Sequence, residues 1–532
     1  TFLPCACHDR LVTGRKTMLS ELPIDILHDV LACADGRSII RCCSVCRAWK
    51  ALIESSVELT YLVELFADGL VSCPSADSMA QRRPYERLEQ LRRYRRAWQS
   101  LTCTSCTRFS ISGHARAYDL VDGVYAQHDT WPLTDFTTIA LPTAERESRA
   151  STFPDVGVQS LDFAIDPTQD LVVFLWRGQD SANLDCRLMS TLAPHPLAAL
   201  DTLSLGLRQQ SFQRIFLQIA DDAVGLLYRI QPLAETLRLV IFNWRTAVLL
   251  VDLSGPQLPR FTSDFSLISP RSFLLGTMTE VREGTNVHRG GIGEIRIFSF
   301  RGDSPAQPEH ATTLLLPEVD VNRSLDRMVI HSGPYLANPP QDALFYKPNE
   351  KRICSVSLLY DRFEAYTLYI HHQFLAGFLP PAARPPIAVV PWKQWGPGNS
   401  RMMKGRHMLW LRSPANLLLE SLLTVLPRYV HGERVVCPVD AVSPRVVQVL
   451  DFGLTPKRYC DPEMCPGVNT EVHIGTSVIP RVNHVFKSDV ATSLPFRRSF
   501  RELDEEHTLF MIDQDRLIGV NESVDTLTVY TF

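Results

Sequence analysis

The spacing of apolar residues divides the chain into a helical front and a longer, strand-rich remainder. Between residues 19 and 101 the period is helical. Leu22, Ile26, Leu27, Val30 and Leu31 fall at i, i+4, i+5, i+8 and i+9, which is one apolar helix face. Ser20, just before Leu22-Pro23, reads as an N-cap region, and Pro23 is acceptable in a first turn. Ala34-Asp35-Gly36 reads as a turn. Ile39, Ile40, Cys43, Val45, Cys46, Trp49, Leu52 and Ile53 then form a second helical stripe. VELTYLVELFADGL, 57–70, predicts a third helix ended by Gly69, and PYERLEQLRRYRRAWQSL predicts a fourth from Pro84.

After about residue 105 the pattern shortens to strands. Runs rich in β-branched and aromatic residues alternate with Gly, Pro, Asn and Asp: LDFAIDP then DLVVFLWRG, FQRIFLQIADDAVGLLYRI, LRLVIFNWRTAVLLVDL, FSLISPRSFLLGTM, GEIRIFSFRGD, ICSVSLLY, AYTLYIHHQF, RHMLWLRS, RVVQVLDFG, TLFMID and RLIGVNESVDTLTVYTF. HPLAALDTL, 195–203, is the one short stretch there with a helical pattern. Strands without intervening helices argue against alternating β-α architecture. So long an all-β region builds either two sandwiches or one propeller. IFNWRTAVLLVDL has a strand reaching an aromatic, a tight turn and a second apolar strand, as at the end of a propeller blade. RLIGVNESVDTLTVYTF repeats the idea where a closing strand would sit. The remaining length, at about 45–60 residues per blade, predicts a propeller-like domain of seven or eight degenerate blades without regular GH…WD spacing. DSPAQP (303–308), FLPPAARPPIAVVP (378–391) and EGTNVHRGGIGE (283–294) read as loops or insertions.

Composition narrows the function classes. A chain of 532 residues exceeds one ordinary core, so two or more domains are expected. A formal net charge of -4 gives no global pull toward nucleic acid or membranes. No apolar run approaches the roughly 18 residues of a spanning helix. The first residues, TFLPCACHDRLVTGRKTM, lack a long apolar signal core, and the sequence begins with Thr1, so Met18 is a natural start and the preceding residues are expected to be a disordered tail. Fourteen cysteines lie far below the roughly 8–10% of a disulfide scaffold. Reduced thiols in the cytoplasm or nucleus are therefore the expectation.

Three cysteines within five positions, Cys42, Cys43 and Cys46, raise the question of a metal. Zinc needs four converging thiolate or imidazole ligands, and no second pair follows at finger spacing. Small buried packing residues are the plainer reading. The surrounding pattern says more. Leu22-Pro23-Ile24-Asp25-Ile26-Leu27, Val30-Leu31, Asp35, Ile39-Ile40 and Val45-Cys46-Arg47-Ala48-Trp49, closing with Leu52-Ile53, resemble the F-box over about 35 residues, at both ends and with its internal spacing. Gly36 stands where a proline is frequent, which predicts a looser turn, and Ala32-Cys33-Ala34 is smaller than usual. A three-helix unit of this size leaves surplus apolar surface. Pattern alone allows that face to pack on the next domain. The resemblance instead implies docking on the Skp adaptor of Skp–cullin–F-box ubiquitin ligases, through Leu22, Pro23, Ile26, Leu27, Val30, Leu31, Ile39, Val45, Cys46, Trp49 and Leu52.

Other constellations are weaker. Arg82 to Arg96 holds seven arginines against two glutamates, a patch able to bind phosphate. Leu88, Leu91, Trp98 and Leu101 make an apolar stripe along the same helix, so a solvated linker helix is the preferred reading. Cys103-x-x-Cys106 has only the distant Cys460 and Cys465 as complement. Trp392 and Trp395, beside Arg401, are candidates for substrate recognition, or for plugging the space between blades. This stretch, with FAIDPTQDLVVFLW and IFNWRT, looks similar to the C-terminal region of many fungal F-box proteins. There is no GxSxG, HExxH, P-loop or GxGxxG, and His371-His372 in a strand would point to opposite faces.

The expectation is an α plus all-β multidomain chain: a tail at 1–18, a three-helix F-box at 19–58, linker helices at 59–104 and a β-propeller-like substrate-recognition domain at 105–532. Its role would be that of a non-enzymatic substrate-recognition adaptor of an SCF-type E3 ligase, without cofactor, metal, nucleic acid or membrane partner. The Skp adaptor, a cullin through it, and a target protein are the implied partners. The alternatives are an F-box interaction protein outside any ligase and a propeller ligand-binding or enzymatic domain with a helical cap.

Overall fold

The computed structural model describes residues 22–73, 83–111, 117–128, 134–143, 146–178, 181–206, 211–231, 236–259, 261–283, 286–302, 307–340, 343–379, 388–405, 429–437, 443–454, 469–483, 485–521 and 525–532. They fall into two compact units, 22–68 with 83–91, and 69–73 with 92–532. Ser20, the residues before it, RHMLWLRS at 406–413, Cys460 and Cys465 lie outside the described residues.

In the first unit the second apolar stripe does not form one helix. Four helices follow one another: α1 Ile24–Ala32, α2 Gly36–Cys42, α3 Arg47–Ser55 and α4 Val57–Ala67. The stripe breaks after Cys43, where Ser44 and Val45 fold back to the Arg41 and Cys42 carbonyls and Cys46 turns extended. α1, α2 and α3 all pack on α4, and α2 also touches α3. Leu31, Ile39, Ile53 and Leu59 are the buried centre, with Trp49, Leu52, Leu62 and Val63 packed around them. A fifth helix, α5 Pro84–Ser100, buries the stripe read from sequence, Leu88, Leu91 and Trp98, with Leu101 just beyond.

The second unit is a seven-bladed propeller-like array of four- and five-stranded, mainly antiparallel sheets. The first strands of blades 1 to 7 are Ala117–Val121, Ser160–Asp166, Ser211–Ala220, Thr262–Ser269, Leu325–Ser332, Val430–His431 and Leu509–Ile512. Consecutive first strands lie against one another from blade 1 to blade 7. Polar side chains stitch several of these seams. Asp119 accepts from the Ile165 N–H (3.4 Å), Gln218 from Leu267 (2.9 Å) and Asp264 from Ile330 (2.7 Å). Each bridge satisfies a buried backbone donor that the next blade exposes. Closure uses both ends of the unit. Ser105–Ser110 pairs antiparallel with Thr526–Thr531, from Ser105↔Thr531 to Ser110↔Thr526. Sealing the sheet ring this way leaves only short outer edges.

The strand readings map onto the blades, with three corrections. EGTNVHRGGIGE is part of a hairpin: Ser272–Glu283 and Asn286–Ser299 pair out to Glu283↔Asn286. Glycine is a poor strand former, but the partner strand supplies the backbone bonds that its local sequence lacks. HPLAALDTL is not helical. It is a set of turns leading into the outer strand Thr202–Ser204. The Pro-rich 378–391 stretch is not wholly loop either. Ala388–Val390 adds a fifth, parallel strand to blade 4.

Candidate functional site

α1 carries two apolar faces, and only one is spent on folding. Leu27 and Leu31, four apart, point inward and are buried. Pro23, Ile26 and Val30 sit on the other side and are exposed, Ile26 by 47% and Val30 by 50%. Leu27, Leu31 and Ile39, expected on a docking face, therefore serve the core instead. Leu22, Trp49 and Leu52 are half-buried, and Trp49 and Leu52 pack against the Leu31–Ile39–Ile53–Leu59 cluster. Val45 is 66% exposed, and Cys46 beside it is also exposed. The expected docking residues left exposed are Pro23, Ile26, Val30, Val45 and Cys46.

Sequence reasoning left out Ile24, which is 63% exposed although it falls on the same side of α1 as Leu27 and Leu31. It lies within the Leu-Pro-Ile-Asp run, in the first turn of α1, and its exposure is a three-dimensional fact.

Local capping fixes this unit. Asp35 caps α2: its carboxylate accepts from the Ser38 N–H and the Ser38 hydroxyl, both at 2.9 Å. Those bonds hold its carboxyl below the usual carboxylate range. The α2 turn is not loose. Gly36 is buried, and a Cβ there would come within 3.0 Å of the Leu62 carbonyl oxygen on α4. Cys46 caps α3 through its sulfur, which accepts from the Trp49 N–H at 3.5 Å. Ser56 caps α4, accepting from Leu59 N–H at 3.2 Å, and its hydroxyl meets His28 Nε2 of α1 at 2.9 Å.

The cysteines are free thiols: Cys33 and Cys46 exposed, Cys42 and Cys43 half-buried. Burial, with Cys43 adjacent, pushes the Cys42 thiol up. Among the described residues no group of three or more His, Cys, Asp or Glu is placed to hold a metal ion.

In the second unit the two tryptophans and Arg401 lie beneath the surface. Trp392 and Trp395 belong to a short helix, Trp392–Asn399, rather than a loop, and their rings meet edge-on within the core of blades 4 and 5. Trp395 Nε1 donates to the Leu315 carbonyl at 2.9 Å. Arg401 is 2% exposed and donates to Leu494 O, Ser477 Oγ and Gly475 O. A recognition role for these three is corrected by their burial, and the inter-blade plug is the reading that fits. His371 ends a strand and His372 begins a helix; His371 Nδ1 lies 3.4 Å from Glu433.

Residues 19–60 match the F-box domain family. F-box domains generally bind Skp-family adaptors. No curated protein sequence matches the chain. Similar solved structures include Kluyveromyces lactis Hsv2 (9% identity, TM-score 0.28, 50% of this chain and 70% of that one). The uncharacterised protein lmo1340 from Listeria monocytogenes EGD-e shares 6% identity at TM-score 0.29, covering 50% and 63%. BamB from Moraxella catarrhalis shares 9% at TM-score 0.29, covering 81% and 99%. At such scores the fold rests on the strand pairing above. The matched helices and the seven sheets together make this chain an F-box protein with a propeller-like region.

Proposed function

We propose that the chain is a non-enzymatic substrate-recognition adaptor of an SCF-type ubiquitin ligase. Pro23, Ile26, Val30, Val45 and Cys46, with Ile24 at the rim, would dock on the Skp adaptor, and the propeller-like region would hold a target protein. The observation that carries the reading is the F-box match over an exposed apolar face that the unit's own core leaves unused. Ligation chemistry would belong to other subunits. This chain would contribute proximity, raising the effective concentration of target at the transferring enzyme. The cytoplasm and nucleus are the compartments in which the free thiols would stay reduced.

Capture of a Skp-family adaptor and a cullin by the full chain tests the reading. Co-capture of both supports it. Failure to capture any Skp-family adaptor sinks it, and adaptor capture without a cullin moves the chain to an F-box role outside a ligase.

A further inference from the structure

The chain holds eight lysines and forty-six arginines, and they are unevenly spread. Between Lys50 and Lys347 there is no lysine, although that span carries twenty-six arginines. Outside it lysine supplies eight of twenty-eight cations, so a bias acting on the whole chain does not account for the gap. The span runs through α4, α5, the closing strand Ser105–Ser110, blades 1 to 3 and four strands of blade 4. No lysine follows Lys487 either, which leaves the strands of blade 7 without one.

Part of this arginine usage has a geometric cause. Arg238 forks onto Asp252 (2.7 and 2.6 Å), and Arg187 joins Asp185 (2.7 Å) to Val156 O (2.6 Å). Arg271 holds both oxygens of Asp222 at 2.6 Å. An ammonium cannot supply that planar fork. Arg93, Arg149 and Arg301 are different. Each is exposed, and no hydrogen bond or ion pair to a described residue holds its side chain. Arg93 lies on the outer side of α5, where the two cations have similar helix propensity. Arg149 opens the outermost strand of blade 1, Arg149–Phe153, an edge at which lysine is ordinarily favoured. At such positions the difference that remains is chemical: a lysine amine can be acylated, and the permanently charged guanidinium is not.

The lysines that do occur are placed narrowly. Lys16 and Lys457 lie outside the described residues. Lys347 is largely enclosed, its Nζ 2.7 Å from Glu433, and Lys351 is half-buried. Lys50 is exposed one turn beyond Cys46, on the side of α3 that the proposed function gives to the adaptor. Lys393, Lys404 and Lys487 are exposed. Lys404 ends the outer strand of blade 5 and pairs with Glu364 at 2.7 Å. Lys487 pairs with Glu318 at 2.9 Å, and Lys393 faces that same carboxylate.

We propose that the lysine-free span withholds ubiquitin acceptors, so that self-modification of the propeller-like region is confined to Lys393, Lys404 and Lys487. The inference rests on the adaptor role proposed above. A receptor held beside the transferring enzyme is at an effective concentration comparable with that of its target, so every exposed amine on it competes. In the transfer, a lysine Nζ attacks the thioester carbonyl that joins ubiquitin to the conjugating enzyme. An isopeptide C–N bond forms, the C–S bond breaks, and the enzyme's thiol leaves with the proton that the amine gives up. An arginine, protonated throughout, does not start that step. Arginine thus keeps the surface charged while the acceptor is removed.

The full chain, assembled with a Skp-family adaptor, a cullin ligase core and a conjugating enzyme charged with ubiquitin, tests the proposal by peptide mapping of the ubiquitin remnant. In the wild type the remnant is expected on Lys393, Lys404 and Lys487. Arg93→Lys, Arg149→Lys and Arg301→Lys together take the exposed amines of the second unit from three to six, so its self-modification should about double, with remnants at the new positions. Lys393→Arg, Lys404→Arg and Lys487→Arg together should remove most of it, and this variant carries the test if the first does not fold. New lysines left unmodified, in an assembly that still builds free ubiquitin chains, overturn the inference and leave the adaptor role standing. Wild-type self-modification in the second variant does the same. Failure of the chain to assemble with any Skp-family adaptor overturns both.

Discussion

Gly36 lies directly beneath Phe66: a Cβ on the glycine would stand 2.8 Å from Phe66 Cγ. The start of α2 can approach α4 this closely because no side chain intervenes. Gly36→Ala is expected to destabilise the helical unit by about 1–3 kcal/mol through overpacking. Phe66→Ala on the same chain should recover little of that loss, because it keeps the Phe66 Cβ that the new methyl meets first and leaves the Leu62 carbonyl in place. Thermal melts of the single and double variants read this directly. Equal melting of Gly36→Ala and wild type would show that the helices part freely.

The two faces of α1 give opposite phenotypes. Ile26→Asp with Val30→Asp changes exposed side chains, so melting should stay within about 0.5 kcal/mol of wild type. Adaptor capture should be lost, because two carboxylates would have to be desolvated in an apolar contact. Leu27→Ala behaves in reverse, costing about 2–5 kcal/mol of stability in proportion to the cavity it leaves. Wild-type capture by the double aspartate variant places the adaptor elsewhere.

Cys46 acts as an N-cap with a weak acceptor, its sulfur 3.5 Å from the Trp49 N–H. Oxygen is the better acceptor at this position. Cys46→Ser should therefore stabilise α3 by about 0.5 kcal/mol, whereas Cys46→Ala should weaken it by a similar amount. If both variants melt alike, the sulfur bond contributes nothing. Adaptor capture by Cys46→Ser should persist, since its size and polarity at the face barely change.

Reading this chain from its sequence succeeded where information is local. The spacing from Leu22-Pro23 to Val45-Cys46-x-x-Trp49 occupies one continuous stretch, so the F-box was legible before any coordinates. Which half of α1's apolar residues faces out was not. Ile26 and Leu27 are adjacent and equally apolar, and only the position of α4 sorts them. The blade count was bracketed by length, but the number seven needs the pairing of Ser105–Ser110 with the last strand, more than 400 residues away. The bonds made by 333–352, the long connection between the first two strands of blade 5, stayed invisible for the same reason. They run to Thr168, Cys73 and Gln514, whereas the segment's own Gly333-Pro334 and Asn338-Pro339-Pro340 signal only a loop. Trp392 and Trp395 misled because an indole pair beside Gly-Pro suits a recognition loop and a buried plug alike.

Arg352 holds the end of the 333–352 connection against blade 5 and its neighbours. It is 3% exposed and donates to three carbonyls: Asn349 O at 2.7 Å, Gly333 O at 3.0 Å and Ile268 O at 2.7 Å. The Tyr335 ring lies 5.4 Å from its guanidinium carbon. Burial pulls its value down to about 10, still far above neutral pH, so the side chain is charged. Arg352→Met keeps the bulk and takes the Arg352 donor from three carbonyls, two of them buried, an expected loss of about 2–4 kcal/mol. Urea denaturation measures it. A loss under about 0.5 kcal/mol would mean that water takes over the carbonyls.

His128 sets an acid limit on the propeller-like region. It is fully buried among Phe136, Phe163 and Phe174, with ring centroids 5.0 to 5.7 Å away. Nδ1 donates to the Asp135 carbonyl, and Nε2 has no partner among the described residues. Burial lowers its value to about 4, against about 6.5 for an unfolded chain. The unfolded state therefore binds the extra proton between those limits, and folded stability falls as pH drops from about 6.5 to 4. One such proton changes stability by about 1.4 kcal/mol per pH unit, so the full window amounts to about 3 kcal/mol. His431 and His507, also lowered to about 4 by burial, add in the same direction. His128→Phe fits the aromatic surround and removes one titration. Stability measured by urea at several values between pH 4.5 and 6.5 should then fall less steeply, by about one proton's share of the slope. An unchanged slope would mean that His128 meets water or a donor before the fold gives way.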